Sequence, residues 1–279
     1  VREQSDVDYG YPADASLHTV VFARDELLRG KLLLIDSEHP IPDDAPTPNT
    51  LAIASKGKGV IPVKDLAVRS CEEMIDVLYR FFYDARCDGV EGLVVTRGTL
   101  SEAEQLDWQM ERLRIHAAAC TLDQAVERTL LEVDNPAQSE HQQTYAVDIR
   151  TYSAWNGMLA DEPLAAVDAG RYLIRTCQQY GLIQRYPQAR DNEDKAYHFR
   201  YVGLAHAAAM NKLNLTLEEY LALLHEKQTI TIQQNGAPKY LIVCRPMRDG
   251  YACFELPDNL PYEASCDNTG YAVVACTYP

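Results

Sequence analysis

The sequence predicts an α+β fold, and three observations carry that expectation. Apolar residues recur at helical spacing in several segments before residue 228, as in Met74, Ile75, Leu78, Phe81 and Phe82. Short apolar runs such as Gly92-Leu-Val-Val-Thr96 are interleaved with them and read as strands. After Gln228 the texture changes to period-two alternation around an Asn235-Gly236 hairpin signal. At 279 residues the chain can bury a sizeable core, as one large domain or as a domain with an appendage.

In chain order, residues 1–30 are polar and irregular until Leu27-Leu28-Arg29-Gly30. Lys31-Leu-Leu-Leu-Ile35 reads as a strand that ends in the Pro- and Asp-rich loop Pro40–Pro48. The Met74–Phe82 stripe predicts a helix over 70–86, and Gly92–Thr96 a strand. Ser101-Glu-Ala-Glu104 has capping-box form and opens a helix carrying Leu106, Met110 and Leu113. A second helical piece over 121–131 precedes Asn135-Pro136. A polar loop with Trp155 and Gly157 leads to a helix expected from Asp161-Glu-Pro163 to Tyr180, with Gly181 as its carboxyl cap. Helices are expected from Gly203 to Asn211 and, behind the capping box Thr216-Leu-Glu-Glu219, to His225. Thr229–Ile232, Tyr240–Cys244, Gly250–Leu256 and Gly270–Tyr278 read as antiparallel strands.

Composition narrows the function classes. Acidic residues outnumber basic ones 41 to 26, a formal net charge of -15, which argues against a nucleic-acid backbone or an anionic membrane surface as partner. No apolar run reaches the ~18 residues a spanning helix needs. The eight cysteines form no C-x-x-C pair, so a cysteine-zinc site is not expected. Four of them fall in the last forty or so residues, where disulfides form if the protein is exported.

Two stretches carry the chemistry. Ser139-Glu-His-Gln-Gln-Thr-Tyr-Ala-Val-Asp148 places a histidine and an aspartate seven residues apart, and Ala196-Tyr-His-Phe-Arg-Tyr-Val-Gly203 supplies another histidine. Both resemble the VanY-type D-alanyl-D-alanine carboxypeptidases, which share a zinc fold with lysostaphin-type peptidases and the hedgehog amino-terminal domain. The family's first motif reads S-x-H-x-x-G-x-A-x-D; Ser139, His141, Ala146 and Asp148 match it, and Thr144 stands in place of the glycine. The second reads E-P-W-H, an aromatic, then R-Y-V-G; His198 to Gly203 match, and Lys195 stands where the glutamate belongs. The phrase Leu215–Leu221, "LTLEEYL", is also similar to the family.

The resemblance, which covers about residues 25–225, implies a small central antiparallel sheet with flanking helices. With the change of texture after Gln228, it divides the chain into a polar lead 1–24, a peptidase domain 25–226 and a β appendage 227–279. It implies zinc held by His141, Asp148 and His198, and a peptidoglycan stem peptide or muropeptide as partner. It also implies an extracytoplasmic location, with a leader that is not part of this chain. The family's substrate arginine lies in an S-G-Y-R-S turn; here Val95-Thr-Arg-Gly-Thr99 puts Arg97 one place away. Arg97 reaches the cleft if the loop shifts by a residue, and is a surface arginine otherwise. Ser139 and Arg200 are the other candidates for substrate contact, Arg200 alternatively forming a salt bridge beside the site.

Two details of the residues bear on whether the site works. An odd spacing on a flat strand points side chains to opposite faces, so the segment between His141 and Asp148 has to bend. A glycine at 144 tolerates the positive φ of such a bend and a β-branched threonine does not; the bend therefore falls elsewhere or the metal site is distorted. Hydrolysis also needs a group that takes and returns a proton. A lysine ammonium cannot accept one at neutral pH, so either Glu193 or Asp194 stands in for the base at position 195, or Lys195 is itself deprotonated by burial. The alternatives to an active peptidase are a degenerate member that grips a muropeptide or partner through Lys195, and an interaction module with a structural metal.

Overall fold

The computed structural model describes residues 6–13, 16–47, 49–57, 59–152, 158–159, 162–187 and 194–279, with Asp194 through its backbone alone. Trp155, Gly157, Asp161 and Glu193 lie outside the described residues. The chain divides into two compact units, one of Ile35–Ile41 with Thr47–Tyr201, the other of Val1–Leu34, Pro42–Pro46 and Val202–Pro279.

The first unit contains helix α1 (Glu72–Cys87), strand β1 (Leu93–Arg97), helices α2 (Glu102–Ala117) and α3 (Leu122–Glu132), strand β2 (Ala146–Thr151), helix α4 (Asp168–Thr176), and strands β3 (Leu182–Gln184) and β4 (His198–Tyr201). The four strands form one antiparallel sheet in the order β1-β2-β4-β3. Its inner face is Val95, Val147, Ile149, Leu182 and Phe199, all fully buried with Met74, Leu78 and Phe81 of α1. The apolar stripe expected on α1 is thus its core face. Helices α2 and α3 open on the capping boxes of Ser101/Glu104 and Thr121/Gln124.

The helix expected from 161 begins instead at Asp168. Leu164–Ala166 form a separate 3-10 turn, and the carbonyl of Leu164 lies 1.8 Å from where a Cβ at Gly170 would stand. Gly181, at φ 79°, ends the following 3-10 turn Cys177–Tyr180 as expected.

In the second unit, helices α5 (Leu204–Leu213) and α6 (Leu217–Lys227) precede strands β5 (Thr229–Gln234), β6 (Ala237–Pro246), β7 (Tyr251–Pro257), β8 (Tyr262–Cys266) and β9 (Tyr271–Thr277). Asn235 and Gly236, at φ 53° and 78°, make the β5–β6 turn. Two segments of the expected lead are built into this unit: Val7–Asp8 pairs with β5, and Leu17–Ala23 pairs with β7 along its whole length. The cut expected at 226/227 therefore does not coincide with the division into units. Strand β8 was not expected, because Tyr-Glu-Ala-Ser-Cys lacks an apolar alternation.

Lys31–Ile35, expected as a strand, is irregular. Its leucines are buried, but its backbone bonds go to the Ser265 hydroxyl and the Asp267 carbonyl instead of a ladder. A short apolar run reports burial, and burial alone does not choose a conformation. All eight cysteines are free. The register explains this for the last four: Cys244 faces Val273, Cys253 faces Val21, Cys266 faces Ala272, and Cys276 faces Leu241 and Tyr262.

Candidate metal centre

Strand register builds the site. Asp148 on β2 stands opposite His198 on β4 and, across its other edge, opposite Arg97 on β1, so the three side chains form one row over the sheet. Arg97 reaches this row through a β-bulge. Pairing is regular from Leu93↔Thr151 to Val95↔Ile149, then shifts so that Arg97 rather than Thr96 faces Asp148. One extra residue re-aims the Arg97 side chain toward Asp148.

His141 enters from a 3-10 turn, Glu140–Gln143, before β2. The bend between His141 and Asp148 falls at Thr144 itself, which adopts the left-handed conformation at φ 71° and ψ −11°. Its carbonyl accepts a hydrogen bond from Ser70 Oγ at 2.7 Å, so neighbouring structure holds a conformation that a β-branched residue disfavours.

His141 Nε2 lies 3.2 Å, and His198 Nδ1 3.0 Å, from the same Asp148 Oδ1. One ligand atom from each of the three residues lies within 4.8 Å of the others, and all three residues are buried. Each has an outer partner. His141 Nδ1 donates to the Gly98 carbonyl at 2.8 Å. A carbonyl only accepts, so the hydrogen is on Nδ1 and the lone pair of Nε2 faces inward. His198 Nε2 donates to Glu140 Oε2 at 3.1 Å, which turns Nδ1 inward in the same way. Asp148 Oδ2 accepts from Arg97 Nη1 at 2.6 Å, leaving Oδ1 to the centre. Two imidazole nitrogens and one carboxylate oxygen directed at one point by outer hydrogen bonds are a donor set that fits a divalent metal.

Gly98 is required where it is. A Cβ there would stand 2.2 Å from the Arg69 carbonyl, and moving the strand away would move the carbonyl that orients His141.

Electrostatics in this buried set are dominated by pairing. Burial pushes the Asp148 carboxyl up, but His141, His198 and Arg97 outweigh it and hold it well below the usual range. Burial likewise raises Glu140, and Arg200, Arg185 and His198 override it. His198 loses by burial and gains more from Asp148 and Glu140, which bring it to about 9. His141 is lowered, chiefly by burial.

The structure brings most of the expected residues together. His141, Asp148 and His198 converge, and Arg97 joins them while its guanidinium stacks 3.4 Å over the Trp108 ring. Arg200 is buried and donates to Glu140 Oε1 at 2.5 Å, the salt bridge beside the site that the sequence left open. Ser139 is the buried N-cap residue of the turn that carries His141. Lys195 Nζ donates to Asp134 Oδ1 at 2.8 Å. Glu193 and the Asp194 side chain lie outside the described residues. Sequence reasoning missed Glu140, Arg185 and Trp108. Glu140 lies inside the motif that was singled out, but its role depends on a histidine 58 residues away. Arg185 joins Arg200 on Glu140 Oε1 at 2.8 Å.

Comparison with known proteins bears on these residues. The family model described as VanY, D-alanyl-D-alanine carboxypeptidase, matches residues 72–204, which include both motifs. A D-alanyl-D-alanine carboxypeptidase of Enterococcus faecium is 25% identical over 259 residues, covering 90% of this chain and 76% of the relative. The crystal structure of the vancomycin resistance D,D-dipeptidase VanXYg, in complex with a D-Ala-D-Ala phosphinate analog, superposes with a TM-score of 0.74 at 20% identity, over 94% of this chain and 100% of that one. A mutant of the vancomycin resistance D,D-pentapeptidase VanY from a VanB-type cassette, in complex with Zn(II), gives 0.54 at 25% identity, over 68% and 98%. Among the described residues, no helix is long and apolar enough to cross a membrane.

Proposed function

Because the chain belongs to the VanY-type D-alanyl-D-alanine carboxypeptidase family, we propose that it is a zinc D,D-carboxypeptidase that removes the terminal D-Ala from peptidoglycan stem peptides. The observation that carries this reading is the donor set. His141 Nε2, Asp148 Oδ1 and His198 Nδ1 face one point, each fixed from behind by Gly98, Arg97 and Glu140. Zinc, when bound there, supplies Lewis acidity and makes water at the site a stronger acid. Arg97, one quarter exposed, is the cation placed to meet an anionic peptide end, while Arg200 and Ser139 act from beneath. A stem peptide as substrate puts the site of action outside the cytoplasm, at the cell wall.

Lys195 favours a second reading, in which the same centre holds a muropeptide without cutting it. Its ammonium occupies the position at which the family carries a carboxylate, and it is paired with Asp134. Zinc content and D-Ala release, measured on one zinc-loaded sample with a pentapeptide ending in D-Ala-D-Ala, separate the readings. Zinc with turnover supports the carboxypeptidase, zinc with peptide binding but no turnover supports the binding protein, and absence of stoichiometric zinc overturns both.

A further inference from the structure

We propose that Asp134 is the acid–base carboxylate of this site, tethered at its rim by Lys195; the proposal deepens the carboxypeptidase reading and rests on it. Four observations lead there. Lys195 lies in the 3-10 turn Asp194–Tyr197 that runs directly into His198. Tyr186 ties the two together: its ring centroid is 5.3 Å from Lys195 Nζ and 5.8 Å from the His198 ring. Gln105 Nε2 on α2 donates to the Asp134 carbonyl at 2.7 Å, and one turn further along α2 Trp108 packs on Arg97 and, at 6.1 Å, on His141. Asp134 is thus held between a residue that flanks His198 and a helix that flanks His141.

Its surroundings suit proton transfer. The Asp134 side chain is 29% exposed, and among the described residues Lys195 is the one hydrogen-bond partner of its carboxylate, through Oδ1. Oδ2 has no hydrogen-bond partner among the described residues. Glu140, another acid at the centre, is committed to His198, Arg185 and Arg200. In the reaction, the attacking water gives a proton to Asp134 as its oxygen bonds the peptide carbonyl carbon. The carbon–nitrogen bond then breaks, and the same proton passes to the amine of the departing D-Ala. One water is consumed and the carboxylate is restored. Lys195 is a positioning residue in this scheme.

The test compares zinc-loaded wild type, Asp134→Asn, Asp134→Glu and Lys195→Met on a pentapeptide ending in D-Ala-D-Ala. It reads kcat across pH, zinc content and peptide affinity. Asp134→Asn is expected to lower kcat by about 10²–10⁴ and to abolish its fall on the acid side, with zinc content and peptide affinity unchanged. Asp134→Glu is expected to keep a measurable part of the rate, and Lys195→Met to fall between. Wild-type kcat in Asp134→Asn overturns the proposal and leaves the carboxypeptidase reading standing, as does loss of zinc in that variant, which would make Asp134 structural. A wild type that holds zinc and peptide without turnover overturns both.

Discussion

His198 and Lys195 stand three residues apart, and the chain holds them in different ways. His198 is buried, with Nδ1 on Asp148 and Nε2 on Glu140, and those two carboxylates are pinned in turn by Arg97, Arg185 and Arg200. Lys195 is about a quarter exposed and, among the described residues, meets one carboxylate, Asp134. Burying charge is costly unless every group is paired, so the metal half is an interlocked set in which no member changes alone. A rim ion pair in contact with water contributes at most about 1 kcal/mol and can be rebuilt with opposite charges. This contrast shows how position 195 can carry the reverse of the family's charge while the ligand set beside it keeps its geometry.

His198→Ala tests the interlocked half most severely. It leaves Glu140 and Asp148 without the imidazole between them, and breaking a buried pair costs about 3–5 kcal/mol. The expected outcome is complete loss of bound zinc with a large drop in thermal stability, read by metal analysis and unfolding. Retention of one zinc per chain would show that the three side chains are not the ligand set. Lys195→Met sets the scale on the other half, with an expected stability change below about 1 kcal/mol and zinc content unchanged.

Glu140→Gln should come next in size. The amide still fills the space but no longer neutralises Arg185 and Arg200, and it holds the His198 tautomer more weakly. Loss of such an outer partner typically lowers metal affinity about 10–100-fold, which competition with a chromophoric chelator would measure. An affinity within twofold of wild type would remove Glu140 from the centre's design.

The raised titration of His198, near 9 in the metal-free chain, predicts a pH effect. At neutral pH this imidazole carries a proton that zinc has to displace, so apparent zinc affinity should rise about tenfold per pH unit and level off as pH passes about 9. Calorimetry at pH 7 in buffers of different ionisation enthalpy should find one proton released per zinc bound. The sign for folding is opposite. His198 stabilises the metal-free chain fully below its unfolded value near ~6.5, and that contribution fades as pH climbs through about 9. A metal-free chain that gains stability over that interval would contradict the pairing with Asp148 and Glu140.

The uneven legibility of the sequence has the same physical origin. His141, Asp148 and His198 could be picked out because each is tied to a local motif, and α1 because its apolar stripe is a local period. Arg97 looked misplaced because a bulge is set by pairing with β2, which the segment Val95–Thr99 does not encode by itself. Glu140 was invisible because its partners lie 45 to 60 residues downstream. Leu17–Ala23 reads as part of a polar lead because its pairing strand, Tyr251–Pro257, is more than two hundred residues away. Signals carried by one turn or one strand were readable, and those created by pairing across the chain were not.

Thr144→Gly addresses the smallest effect and the one detail in which this chain departs from the glycine of the first motif. A residue other than glycine in the left-handed region costs about 1–2 kcal/mol, and Thr144 sits there at φ 71°. Glycine removes that strain but loses about 0.5–1 kcal/mol to the greater freedom of the unfolded chain, and it gives up the packing of a buried methyl worth about 0.8 kcal/mol. The terms nearly cancel. Because Ser70 Oγ fixes the Thr144 carbonyl through the backbone, the turn should survive the change and keep His141 aimed. The expected outcome is a melting shift of no more than a few degrees with zinc affinity within twofold. A loss of several kcal/mol would mean that the threonine side chain, rather than the backbone bond to Ser70, holds the bend between His141 and Asp148.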